Sequence, residues 1–388
     1  REALFEYAAM GGLLVVIGPL PSWPDWPSVE GSLEGSRIVF AGFGVILCLP
    51  ADVQGSSSSP IWELALDRAE ESSQPLVAPL GNARPGFISA IGDDIRLPVR
   101  GLFFLTVVFA LLLGPVNLFF LHRKRRRVWL WWTVPATALL TTSLLTGFAL
   151  FVEGSQIRVR TRSMTLLDER HDQAFTVGDQ GYFSTRSIPQ GVSFSQRTEV
   201  VPLVEFGIQP FYRTLHLEGG LRLAQGWVSP RIPAHFQIRS PQRRRERLPV
   251  RITGGGGVEV TNGLGAAIQQ VWFCTLDGSV YWGRDIAPGE SQTLTATGRK
   301  RPSDFPSAKV WRDYYRDGWH TESFVPNSVD VLRPGTYTAI LADSPFVEAG
   351  VPRITHSDRF SIVHGISALS PEAEQGTSSA QESRGGGR

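Results

Sequence analysis

The sequence predicts a multidomain membrane protein with a partial α/β domain, a two-helix transmembrane hairpin and an all-β, sandwich-like C-terminal region. Two apolar runs, Leu102 to Leu121 and Val128 to Val152, contain no Asp, Glu, Lys or Arg and flank the segment His122-Arg123-Lys124-Arg125-Arg126-Arg127. The chain before them mixes one helical stretch with short apolar strands. The chain after them changes to a period of two, broken at intervals by Gly-containing turns.

The hairpin reading rests on length and charge. A helix crosses a bilayer with roughly 20 apolar residues, and both runs reach that length. The connector is too short to be a domain, and the cations Arg123, Lys124, Arg125, Arg126 and Arg127 place it on the cytoplasmic side. Trp129, Trp131 and Trp132 stand where an aromatic belt would meet the headgroups. This topology puts both flanks outside the cytoplasm of a bacterial plasma (inner) membrane, in the periplasm or at the cell exterior. The lipid bilayer is then the first partner.

Within the hairpin, Thr106, Ala110 and Gly114 fall on one helical face, and Thr133, Thr137 and Thr141 fall on another. Small and hydroxyl-bearing residues at this spacing allow close helix packing. Pro115 and Pro135 are expected to kink their helices. Asn117 is expected to satisfy itself beside the basic connector or on a carbonyl freed by Pro115. A pair of spans without charge disfavours a transporter.

Residues 1–97 read as an α/β domain. Glu2 to Met10 is helical and stops at Gly11-Gly12. Leu13 to Gly18 is an apolar run typical of a buried strand. Arg37 to Phe40 and Val45 to Leu49 make two short strands or one bent one, and Ser59-Pro60 opens a helix that runs through about Glu71. The chain begins at Arg1, already inside the first helical pattern, so the α/β domain is expected to be truncated at its N-terminus.

Residues 98–152 form the hairpin, and residues 153–369 the β-region. There, Gln156 to Arg160, Gly257 to Thr261, Ala267 to Cys274, Ser279 to Trp282 and Ser291 to Ala296 alternate like strands. Asn262-Gly263, Asp277-Gly278 and Pro288-Gly289 are turn signals between them, and Arg333-Pro334-Gly335 precedes a further strand to Leu341. Such spacing argues for one elaborated sandwich or two subdomains. Residues 370–388 are rich in Ser, Gly, Glu and Gln, lack aromatics, and are expected to be disordered.

Composition says little about partners. A net charge of +2 over 388 residues points to none, and Cys48 and Cys274 are too few and too separate for a disulfide framework or a metal site. Gly254 to Gly257 lacks the Lys-Ser/Thr ending of a phosphate loop and leads into a strand. Asp168-Glu169-Arg170-His171-Asp172 is the densest titratable cluster, readable as a cation site, an acid/base pair or a solvated turn. The His residues show no metal-binding spacing; His320 and Glu322 merely stand two apart. There is also no Gly-x-Ser-x-Gly elbow. No catalytic residue, metal or cofactor is specified. Arg243, Arg244, Arg245 and Arg247 form the strongest charge feature of the β-region and a candidate surface for an anionic partner, but one too poor in aromatics for nucleic acid.

Three stretches carry a resemblance: Tyr7 to Gly18, Leu111 to Asn117 with the basic turn, and Leu332 to Tyr337. With them the chain resembles a group of uncharacterised bacterial membrane proteins. Those proteins combine a class-I-amidotransferase-like or von Willebrand-A-like α/β domain, a membrane hairpin and an exported β-rich region. The resemblance implies a membrane-anchored protein in an envelope or transport assembly, with a protein partner there. It transfers no catalytic residue, because Cys48 lies in Val45-Ile46-Leu47-Cys48-Leu49-Pro50 and not in the Gly-x-Cys-x-Gly elbow of the amidotransferase class. The expected function is binding by the exported β-sandwich, without enzymatic activity. The alternative is an envelope enzyme whose catalytic half precedes Arg1.

Overall fold

The computed structural model describes residues 2–10, 12–18, 30–33, 36–41, 44–49, 99–117, 119, 123, 130–152, 157–203, 212–253, 257–297, 332–352 and 354–368. The expected helix from Ser59 to Glu71, the Gly254 to Gly256 run, His320 with Glu322 and the tail 370–388 lie outside the described residues.

The N-terminal segment folds as a helix on a small mixed sheet. Helix α1 (Glu2–Ala9) leads into β1 (Leu13–Ile17), followed by β2 (Glu30–Leu33), β3 (Ser36–Ala41) and β4 (Gly44–Leu49). The sheet order is β1-β4-β3-β2. β1 and β4 are parallel, and β3 joins β4 as an antiparallel hairpin, so the chain from Arg37 to Leu49 forms two strands. The Gly12 amide reaches back to the Tyr7 carbonyl at 3.1 Å and closes the helix. Gly44 lies directly against the carbonyls of Ala8 and Gly12, where a side chain would collide with backbone.

The two apolar runs do not form a transmembrane hairpin among the described residues, where no helix is long and apolar enough to cross a membrane. The first run divides. Helix α2 (Val99–Leu111) has 13 residues and passes into a π-helical turn, Leu112–Val116, which contains Pro115. Proline has no amide to continue the ordinary ladder, and the Asn117 amide donates instead to Leu112 and Gly114 carbonyls. The second run gives helix α3 (Leu130–Val152), 23 residues long with Pro135 inside it. The reading as a membrane protein is corrected accordingly, together with the multi-pass plasma-membrane location and the periplasmic placement derived from it. Phe103, Phe104, Trp131, Trp132 and Leu139 are nevertheless exposed large apolar groups on these helices.

The β-region is one continuous sheet of 11 strands instead of two facing sheets. The strands are β5 (Ile157–Asp168), β6 (Gln173–Ser184), β8 (Glu199–Leu203), β11 (Ala234–Arg243), β12 (Val250–Ile252), β13 (Val258–Thr261), β14 (Ile268–Cys274), β15 (Val280–Ile286), β16 (Ser291–Ala296), β17 (Thr336–Leu341) and β18 (His356–Ile366). Their order is β12-β13-β16-β15-β14-β17-β18-β5-β6-β11-β8. Between them, β7 (Val192–Phe194), β9 (Leu215–His216) and β10 (Leu221–Leu223) make a separate three-stranded sheet. The fusion into one sheet comes from β5 and β18, which pair in parallel from Arg158 with His356 to Asp168 with Ile366.

Alternation divides the residues of the large sheet between two faces. On one face, Tyr337, Ala339, Leu341 and Val363 share a core with Val258, Val260 and Leu294. Those last residues come from strands several positions away, so the sheet curls over itself there. Farther along the same face, Val159, Tyr182 and Phe236 pack against Val192, Phe194 and Leu223 of the three-stranded sheet. On the opposite face, Met164, Leu166, Phe175, Ile340 and Ile362 receive Phe5, Ala8 and Ala9 of α1 and Ile46 and Cys48 of β4. Phe5 meets Phe175 edge-on at 6.3 Å between ring centres. Cys48 is thus a buried core residue near the end of β4.

Candidate functional site

The turn between β5 and β6 brings together two features that stand far apart in the sequence. β5 and β6 close at the pair Asp168 and Gln173, leaving Glu169 to Asp172 as the connection. The Arg170 amide donates to Asp168 Oδ1 at 2.9 Å, and His171 Nδ1 lies 2.7 Å from Asp168 Oδ2. A fully buried carboxylate therefore organises the turn. Asp172 takes a positive φ of 55° at its end, a conformation Asp tolerates better than most residues.

Glu169 points into the core. Its Oε1 accepts the Leu248 amide at 2.7 Å and the Tyr337 hydroxyl at 2.7 Å, and Oε2 accepts the Ala368 amide at 3.4 Å. The carboxyl thereby ties the chain after β11 to the first part of β17 and to the end of β18. Burial raises the Glu169 pKa above its ordinary value; the bonds from Leu248, Tyr337 and Ala368 and the nearby Arg247 oppose that rise. Tyr337 is also pushed upward, by burial first and by its acidic neighbour second.

The arginine segment follows the end of β11 and docks on the same turn. The Arg244 amide donates to the Asp172 carbonyl at 2.8 Å. Its guanidinium donates to Gln242 Oε1 at 2.7 Å, to Glu246 Oε1 at 3.0 Å and to the Pro345 carbonyl at 3.0 Å. It also lies over the Phe346 ring at 5.6 Å. Arg247 donates to Asp172 Oδ1 at 2.7 Å, and this bond raises its pKa further. Arg244 and Arg247 are therefore braces of the fold. Arg243 and Arg245 are exposed and stand two residues apart, with Arg170 partly exposed on the neighbouring turn.

The remaining sequence candidates are placed as follows. Lys124, Arg125, Arg126, Arg127 and Trp129 lie outside the described residues, and Arg123 is exposed. Thr106, Ala110 and Gly114 sit on an exposed side of their helix, and a side chain added at Gly114 would touch nothing within 4 Å. Thr133, Thr137 and Thr141 form a half-buried face. Thr133 Oγ1 accepts a 2.9 Å hydrogen bond from the Asn117 side-chain amide, which is the polar tie between the two helices. Thr137 and Thr141 donate back to carbonyls of their own helix, Thr133 and Thr137 respectively, each at 2.8 Å.

Among the described residues, no group of three or more His, Cys, Asp or Glu side chains could hold a metal ion. The Glu169–Tyr337 tie was missed in the sequence because no local pattern connects residues so distant. The one available cue was an acidic residue placed at the end of a strand of alternating apolar character.

No family model matches the chain, and no curated protein does. Among solved structures, a yeast delta-COP-I mu-homology domain complexed with a Dsl1 WxWxV peptide is similar at 7% identity and a TM-score of 0.21, covering 54% of this chain and 96% of that one. A likeness of that degree carries no argument about fold or function.

Proposed function

We propose that the chain acts by binding, and that its β-region presents Arg243 and Arg245 to an acidic partner protein. One observation carries this reading. Four arginines are concentrated on one short segment, whose backbone is fixed by the contacts of Arg244 and Arg247, and the side chains of Arg243 and Arg245 reach the surface from it. A cation pair held in place loses less freedom on contact than one on an unbraced loop. The reading favours a protein partner over nucleic acid, because the segment offers no aromatic side chain for base stacking. The test is binding of a fluorescent polyglutamate probe to the full chain and to the Arg243→Glu/Arg245→Glu variant. The account expects the affinity of the variant to fall at least tenfold near 50 mM salt and the difference to shrink near 500 mM. Equal affinity of the two proteins at low salt would refute it.

A second reading, hydrolytic chemistry, is favoured by the Asp168–His171 pair alone. A buried carboxylate orients an imidazole whose side chain is 37% exposed, as in a general base with its orienting group. Among the described residues His171 has no other hydrogen-bond partner, so no nucleophile is joined to it. Turnover of a generic ester panel, abolished by His171→Gln, would favour this reading over binding alone.

A further inference from the structure

On the face of the large sheet that carries the two apolar cores, those cores are separated by a polar seam. Thr161 and Ser163 of β5 lie there beside Gly178 and Gln180 of β6 and Ser361 of β18. Thr161 and Ser361 are 1% and 0% exposed, and their hydroxyls have no hydrogen-bond partner. Farther along this face hydroxyls meet in pairs, Thr165 with Thr176 at 2.9 Å and Ser240 with Thr198 at 3.2 Å.

The seam is crossed by the segment 342–352. Phe346 enters one core and Val351 the other, so the strap is anchored on both sides of the seam. Between these anchors Gln180 Nε2 donates to the Glu348 carbonyl at 2.7 Å, and the Tyr182 hydroxyl donates to the Ala349 carbonyl at 2.9 Å. Gln180 is the register neighbour of Thr161, and its amide is already committed to the strap. On the other side of Thr161 the register neighbour is Arg359, paired with Asp343 of the strap at 3.5 Å. The strap thus brackets the two hydroxyls, and the Arg359 cation beside Thr161 is matched by Asp343.

We infer that the seam beneath the 342–352 strap is a resident hydration site, in which ordered water bridges Thr161 Oγ1 and Ser361 Oγ to the strap. An unpaired hydroxyl in a dry core is costly, and a polar interior site with several partners holds water while an apolar one stays dry. The charge balance selects a neutral ligand over an ion.

The test combines a crystal structure of the full chain at a resolution that orders water with the melting temperatures of Thr161→Val and Ser361→Ala. The expected result is water at hydrogen-bond distance from both hydroxyls and a Tm lowered by about 2–4 °C in each variant, because each substitution removes a partner of that water. A seam without water, or a Tm raised by Thr161→Val, would overturn the inference, since deleting an unpaired hydroxyl from a dry site relieves a penalty. Ser361→Ala removes a single oxygen and keeps the test open if the Val variant fails to fold.

Discussion

Glu169 and Tyr337 stand 168 positions apart and share a 2.7 Å hydrogen bond in the core. That bond, with the Leu248 and Ala368 amides on the same carboxyl, makes one side chain the junction of three chain segments. Tyr337→Phe should lower stability by about 1–3 kcal/mol, the range for a hydrogen bond to a charged or strongly polar group. Glu169→Ala should do more, about 2–5 kcal/mol, because two or more donors lose their acceptor together. Urea denaturation of the three proteins checks the order; equal stability of Glu169→Ala and the parent would remove the junction from the account.

The same carboxyl gives a pH signature. Its folded pKa is raised, so in the window above the ordinary value of 4.5 the folded state holds the proton more tightly than the unfolded state. Its contribution is full below 4.5 and is lost as pH rises through the raised value. Subtracting the stability-versus-pH curve of Glu169→Gln from that of the parent should give a difference that declines with rising pH. A flat or rising difference would contradict the assignment.

His235 and His364 act in the opposite direction. Burial lowers both from 6.5 to about 4; Arg333 adds to the effect at His364, whose Nδ1 lies 3.2 Å from Thr338 Oγ1. With folded values depressed, their stabilising contribution is present above pH 6.5 and is lost as pH falls toward 4. At 1.36 kcal/mol per unit, each contributes about 3 kcal/mol of acid sensitivity. Acid titration of stability should therefore steepen between pH 6.5 and 4, and His364→Gln should flatten it.

Arg244 and Arg247 should separate clearly. The Arg247–Asp172 pair is nearly half exposed on both sides, so a double-mutant cycle should give only a weak coupling, decreasing with salt. Arg244 has several fixed acceptors and an aromatic neighbour, and Arg244→Lys should be destabilising because an ammonium cannot reproduce the fork. A neutral Arg244→Lys substitution in thermal melts would show that the brace is dispensable.

Much of the local pattern was legible. β13, β14, β16 and β17 fall where alternation and Gly turns located strands, and the Asp277-Gly278 turn joins β14 to β15 with Gly278 at φ 83°. The Asn262-Gly263 signal has a different outcome. β13 pairs with β16 and not with β14, and Asn262 is buried as a staple, donating to the carbonyls of Ala266 and Ile286. A turn motif reports local chain direction, whereas strand order depends on pairings far away. The parallel contact of β5 with β18 is of that distant kind, and it turned an expected sandwich into one sheet. The apolar runs misled for a related reason: composition measures apolar content over a window, while Pro115 acts on the hydrogen-bond ladder and ends α2 after 13 residues. At the candidate site, the arginine segment and the acidic turn were each visible as charge clusters. Their mutual contact through Arg247 and Asp172 was not, because only the β5–β6–β11 register brings them together.

The most direct test of the binding account is to map the contact surface by following backbone amide resonances of the full chain during titration with oligoglutamate. The account predicts saturable shifts concentrated at Arg243, Arg245 and the neighbouring Arg170 turn, vanishing at high salt. Shifts confined to other surfaces, with this segment unmoved at saturation, would contradict it.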